Sequence, residues 1–437
     1  MPTFKRTPLF LLLFCVPVLA GLLMAGGCAR EANVPNGASV SEEVVPVGAA
    51  QESPLPVSEA RPDFAAYTLL LRQADYKPAR FEPAEGCYLG AAVLSDRAIG
   101  GRMDTFERVT GVKHAVYANE MILGGEYPVS WVLECIAAGK TPCLTVNRPN
   151  AYAPFDAELL EQTARDIGVY NVPMFVRLMP WAAAERYASG EYIAFFAEAK
   201  EVFAAFAPNA VLVWSVADGD VEASAAFYPG DANVEWVDIV LRGEDAAARL
   251  ADFAAVYQRR KPIMLTTAVS HFSTAQNAYD TEAAAARLAA LYEEVAYRYP
   301  RVKALVYENV NEVDDENAAG VRHDYSLTTE DMLVKAYAKA AGDSYFLAAF
   351  AAEAGAWNRE VLITSQYAAY GAQGLYYLPE QSILADLGAK KMPSGRRAVS
   401  AEGTVCYEFA AVRENVPFDF YVEEARGRLV LWIEATR

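Results

Sequence analysis

The residues best placed to do chemistry in this chain are carboxylates at the ends of short apolar runs. Glu308 closes ALVYE, Glu120 follows AVYAN, Asp218 and Asp220 follow VLVWSVA, and Glu185 lies just beyond VPMFVRLMPW. Two carboxyl groups about 5–5.5 Å apart can serve as nucleophile and general acid/base in retaining cleavage of a glycosidic bond, and a wider pair can activate a water. Solvated loop acids are the plainer account of most of them, in a chain with 56 Asp and Glu. Rings accompany them at or near the same run ends: Tyr88, Tyr117, Tyr152, Trp181, Tyr228, His271 and Tyr307. Sugar faces stack on such rings while polar neighbours read hydroxyls. Trp214 and Trp236 lie inside apolar runs and read as core.

The other chemistries find little support. His114, His271 and His323 are scattered, and Cys87, Cys135, Cys143 and Cys406 contain no C-x2-C pair, so neither a metal site nor a cofactor is expected. Buried free thiols are the expectation for these cysteines. The formal charge of -18 disfavours nucleic acid and anionic lipid, and suits a neutral partner such as a polysaccharide or oligosaccharide.

The elements that must position these groups are legible as an alternation. Apolar runs at 87–93, 114–118, 142–146, 173–178, 211–216, 234–241, 262–268 and 302–307 are each followed by a helical stretch or a long loop. Short buried runs that alternate with helices argue for parallel β/α units, and eight such units close most economically into a (β/α)8 barrel. Helices are expected over 156–167, 192–206, 245–257 and 281–297, with Gly111, Gly139 and Gly168 as stops. Beyond Gly342 the pattern changes to an apolar helical stretch from Tyr345 and then short alternating runs. This predicts a small C-terminal β-rich segment over 343–437, with the barrel over 64–342.

FYPGDANVEWVDIV, from Phe227 to Val240, resembles the YYPGD-x-YVDWVG segment of glycoside hydrolase family 26, the β-mannanase-like barrels. GCYLGAA at Gly86, FERVTG at Phe106 and APNAVLVW at Ala207 resemble the opening strand, first helix and fifth strand of that family, in order. The resemblance implies an acid/base after strand four in R-x-x-H-E-x-N and a nucleophile ending strand seven in KPIxITE. Here Arg177 matches the arginine, Pro180 stands for the histidine, Trp181 for the glutamate, and Thr267 ends KPIMLTT. Both catalytic positions are therefore replaced, and a threonine without an adjacent base is a poor nucleophile. Glu308, where the family has an apolar residue, is the candidate substitute. Arg177, Trp181, Tyr228, His271 and Tyr307 are the candidate glycan-binding residues, while Asp231 reads as a cap.

At the N-terminus, Lys5 and Arg6 precede an apolar stretch from Leu9 to Met24 and the box AGGC ending at Cys28. This reads as a bacterial lipoprotein signal over residues 1–27, with Cys28 lipidated and the product anchored outside the cytoplasm by its lipid. Residues 28–63, rich in Pro, Ser, Glu and Ala, read as a tether. Three functions remain open: a glycan-binding barrel with hydrolysis lost, an active endo-β-glycosidase with relocated carboxylates, and a structural envelope lipoprotein.

Overall fold

A computed structural model of the chain describes residues 63–150, 153–180, 187–217, 221–243, 245–313, 320–351, 360–395, 397–399 and 403–433. The expected signal segment, Cys28 and almost all of the expected tether lie outside them.

Eight parallel strands form the centre: β2 Cys87–Ala92, β3 Val116–Ile122, β4 Thr141–Asn147, β5 Met174–Leu178, β6 Ala210–Ala217, β7 Trp236–Leu241, β8 Ile263–Thr267 and β11 Val302–Glu308. Each pairs with the next, and β11 pairs back onto β2, Leu305 beside Leu89 and Glu308 beside Ala92. The ring has no break, so the fold is a (β/α)8 barrel. The strands are apolar on both faces because both faces are covered. Leu89, Leu144, Val176, Leu212, Ile239 and Leu265 pack outward on the helices, while Cys143, Phe175, Val213, Trp236, Met264 and Val306 point into the lumen.

The helices fall where apolar spacing places them, with one informative difference. Helix Ala157–Tyr170 starts at Asp156, whose carboxylate accepts from the amides of Glu158 and Leu159 at 3.0 and 3.1 Å. It runs past Gly168, the expected stop, to Asn171 at φ +47°. Gly168 serves close packing instead, since a Cβ there would lie 2.0 Å from the Phe206 carbonyl oxygen. All four cysteines among the described residues are buried free thiols.

The boundaries expected at residues 64 and 342 need correction. β1 Ala65–Gln73 belongs to a second sheet, with β14 Val361–Ala372, β15 Leu375–Pro379, β16 Arg397–Val399, β17 Val405–Glu408, β18 Phe418–Glu423 and β19 Arg428–Ile433. The order is β16-β17-β15-β14-β1-β19-β18, with β1 antiparallel to β14 and parallel to β19. The C-terminal segment lacks an apolar strand at this position, and Leu69 and Leu71 supply it, packing with Ile363, Leu429 and Leu431. The stretch from Tyr345, expected as helical, contains β13 Phe346–Leu347, which pairs with the start of β2. Gly86 permits that approach: at φ +75°, its missing Cβ would meet the Tyr345 carbonyl oxygen at 2.7 Å.

The second sheet rests on the lower rim, where the barrel strands begin. Gln258 donates to the Thr364 carbonyl at 2.8 Å and accepts from its amide at 2.9 Å, and Gln73 donates to the Arg259 carbonyl at 3.1 Å. Rings close the lumen from below: Phe81 lies 5.8 Å from Phe175 and 5.4 Å from Phe350, and Phe175 lies 5.1 Å from Trp236. Beside this floor, buried Arg301 meets Glu82 and the Tyr76 hydroxyl, both at 2.5 Å, and donates to the Gln258 carbonyl at 3.0 Å. The upper rim is roofed by three short strands from the loops after β8 and β11: β9 Phe272–Ser273, β10 Ala278–Tyr279 and β12 His323–Asp324.

Lys303, two residues past Arg301, is 5% exposed, and its ammonium reaches the Ala84 carbonyl at 3.4 Å. Burial, helped by the Arg301 charge, pushes its amine down to about 8. The unfolded chain therefore binds more protons than the native one between that value and the ordinary lysine value of about 10.4, and stability rises with pH across this window. Lys303→Met is expected to be more stable than the parent at pH 7 and to lose that alkaline rise. Urea unfolding of both proteins from pH 7 to 10.5 checks this.

Candidate functional site

The lumen wall alternates, so every second residue of a strand faces inward. In the middle of the lumen this rule gathers Arg177 of β5, Ser215 of β6, Asp238 of β7 and Thr266 of β8. Arg177 Nη1 donates to Thr266 Oγ1 at 2.8 Å and lies 3.6 Å from Asp238 Oδ2. Thr266 donates to Asp238 Oδ1 at 2.9 Å, and Ser215 donates to the other carboxylate oxygen. Asp238 is fully buried. Burial is the largest influence on its carboxyl and raises it above the usual range, against the pull of Arg177 and the two hydroxyls, while the Glu308 charge adds to the rise.

One level higher, at the mouth, stands Glu308. Its Oε2 accepts from Arg242 Nε at 2.7 Å and Nη2 at 2.6 Å, and Arg242 also reaches Glu312 at 3.4 Å. Burial works against the Arg242 charge, but the Glu308 and Glu312 carboxylates outweigh it and raise its affinity for the proton further. The positions flanking Glu308 on the neighbouring strands are small: Ala92 is its register partner on β2, and Ala268 follows the Thr267–Tyr307 pair on β8. Across the mouth, Asn147 Nδ2 donates to Glu120 Oε2 at 3.0 Å. Among the described residues no group of His, Cys, Asp and Glu is arranged to hold a metal ion.

The candidate residues from the sequence divide sharply. Arg177 and Glu308 face the lumen. Thr267 does not: Met264 and Thr266 take the inward positions of β8, so Thr267 turns to the helix side and donates to the Leu241 carbonyl at 2.7 Å. Tyr307 is turned outward for the same reason; it is fully buried, and its hydroxyl donates to the Tyr325 carbonyl at 2.8 Å. Tyr228 and Asp231 precede β7 and so sit at the lower rim, away from the mouth. Tyr228 packs 5.0 Å from Trp214 and donates to Asp231 at 2.6 Å, and Asp231 also accepts from Arg260 at 2.9 Å. His271 lies under the roof, 1% exposed, with Nε2 3.4 Å from Asp324. Tyr88 and Trp236 belong to the floor, and Trp214 and Tyr117 to the layer between strands and helices. Trp181, Tyr152, Glu185, Asp218 and Asp220 lie outside the described residues.

Asp238, Arg242, Ser215, Thr266 and Asn147 were not singled out from sequence. A carboxylate inside an otherwise apolar run, in step with Trp236, was the available signal for Asp238.

A scan against family models and a search of curated proteins find no match. Among solved structures, a GH26 beta-mannanase from Bacteroides ovatus gives a TM-score of 0.44 at 14% identity, covering 60% of this chain and 90% of that one. A GH26C structure from a Muricauda species gives 0.45 at 12%, covering 60% and 87%, and a GH113 beta-1,4-mannanase gives 0.41 at 11%, covering 59% and 99%. The likeness is one of barrel architecture.

Because the folded Asp238 carboxyl is raised, its contribution to stability is fully present below the unfolded value of about 3.9 and is lost as pH rises through the folded value. Asp238→Asn has no such loss. The stability difference between variant and parent is expected to move in favour of the variant as pH rises from about 4 to 7, followed by denaturant unfolding at each pH. A shift toward the parent would mean that Arg177 outweighs burial.

Proposed function

We propose that the barrel mouth binds a neutral, mannan-like β-glycan at the cell surface, with hydrolysis lost or strongly reduced, on a chain anchored through lipid at Cys28. The observation that carries this reading is the setting of Glu308. Retaining cleavage needs a second carboxyl group about 5–5.5 Å away. Both flanking wall positions are alanines, and one oxygen of Glu308 is occupied by two N–H groups of Arg242. Thr267, the residue at the nucleophile position of the resemblance, faces away from the lumen. What remains is a lumen of fixed donors and acceptors, suited to reading hydroxyls. The motifs from Gly86 to Val240 support the glycan class.

A second reading, hydrolysis through Glu308 with a relocated partner, draws on one observation: the Glu308 charge contributes to the rise of the Asp238 carboxyl one level below it in the lumen. The structural reading in which the C-terminal segment fills the cleft loses its support, since that sheet sits on the opposite rim.

Reducing-sugar release from β-mannan, β-glucan and xylan, with retention on the same polysaccharides, separates these readings. Retention on one of them without release above a boiled control is expected. Turnover that disappears in Glu308→Gln would sink the binding reading in favour of the enzyme, and absence of both turnover and retention would leave a structural role.

A further inference from the structure

The lumen wall between β3 and β5 contains a buried donor and a buried acceptor that nothing among the described residues satisfies. Arg177 is 6% exposed; its Nη1 is engaged by Thr266, but its Nε has no hydrogen-bond partner among the described residues. Asn147 donates through Nδ2 to Glu120, and its Oδ1, also buried, has no partner. Arg177 pairs in register with Thr145, and Asn147 lies two residues further along β4 on the same inward face. The free donor and the free acceptor therefore sit on adjacent strands, about 7 Å of strand rise apart at the backbone. Glu120 fixes which end of the amide faces the lumen, because a carboxylate accepts only and so selects the NH2 group.

Buried polar atoms are nearly always satisfied, so an unmatched donor and acceptor toward the open end of a barrel call for a partner from outside the wall. A hydroxyl meets both halves at once, accepting from Arg177 Nε–H and donating its own hydrogen to Asn147 Oδ1. A carboxylate would answer Arg177 but place a second acceptor against Asn147 and Glu120. An ammonium would answer Asn147 but bring its charge against Arg177. We propose that Arg177 and Asn147 together read one hydroxyl of a neutral pyranose and discriminate against uronic acid or amino sugar at that position, with Glu120 as the positioning residue. This rests on the mouth binding a glycan, as proposed above.

Titration calorimetry of the full chain with β-1,4-linked mannotriose, cellotriose and xylotriose tests it, followed by single-deoxy versions of whichever binds. Asn147→Leu is expected to weaken binding about tenfold, as is removal of the one hydroxyl that is read. The two losses are not additive: removing the hydroxyl costs Asn147→Leu less affinity than it costs the parent, because only the Arg177 contact is left to lose. Glu120→Gln, whose amide donates as well as accepts, no longer selects the NH2 end of Asn147 and is expected to weaken binding, by less than Asn147→Leu does. If the parent binds none of the three sugars, the glycan reading falls and takes this inference with it. If the parent binds and Asn147→Leu binds equally, the glycan reading stands and the subsite falls, its two atoms being bridged by water. The deoxy series on the parent needs no variant: if no single deoxygenation weakens binding by more than about twofold, the subsite also falls.

Discussion

A single buried guanidinium holds the two halves of this protein in one arrangement. Arg301 stands where the last barrel strand begins and binds Glu82 and Tyr76 of the segment that crosses beneath the barrel. Its Nε reaches Gln258, whose side chain in turn exchanges two hydrogen bonds with Thr364 of the second sheet. A cation so buried is tolerated because its fork is met on every side, including by the Tyr76 ring at 4.2 Å. Removing Glu82 would strand a charge at the junction. The aromatic floor lies beside this knot, so the lower end is both pinned and sealed.

With the lower end closed, chemistry is confined to the upper one. Three levels of inward residues run from apolar rings through Asp238 and its partners to Glu308, Glu120 and Asn147 at the rim. Polarity rises toward the mouth, where water or a ligand can compensate it. The middle level is the costly one, with an ionisable acid and an arginine held in the lumen by two hydroxyls. Such a cluster is retained at a site more readily than in a core, since apolar replacement of similar volume often stabilises a protein.

The barrel was legible in the sequence because strands covered on both faces leave continuous apolar runs, and all eight runs fall on strands. The site was less so, because inward and outward positions differ by one residue. Thr267 and Thr266 are neighbours with opposite fates, as are Tyr307 and Glu308. Tyr228 and Asp231 could have been placed by order alone, since a segment that precedes a barrel strand lies at the lower rim. β1 carried no local sign of its partners, because pairing at such separation leaves no trace in spacing or composition.

That separation bears on how the molecule is made. Arg72 in β1 and Glu360 at the edge of β14 form an ion pair across 288 residues. On β1's other side, β19 is the last strand described. During synthesis β1 emerges before the barrel strands and must wait, without its partners β14 and β19, while the whole barrel is produced and can close. The second sheet is thus completed only after β19 has left the ribosome, and a chain stopped short of Arg428 leaves the apolar Leu69–Leu71 stretch with an open edge.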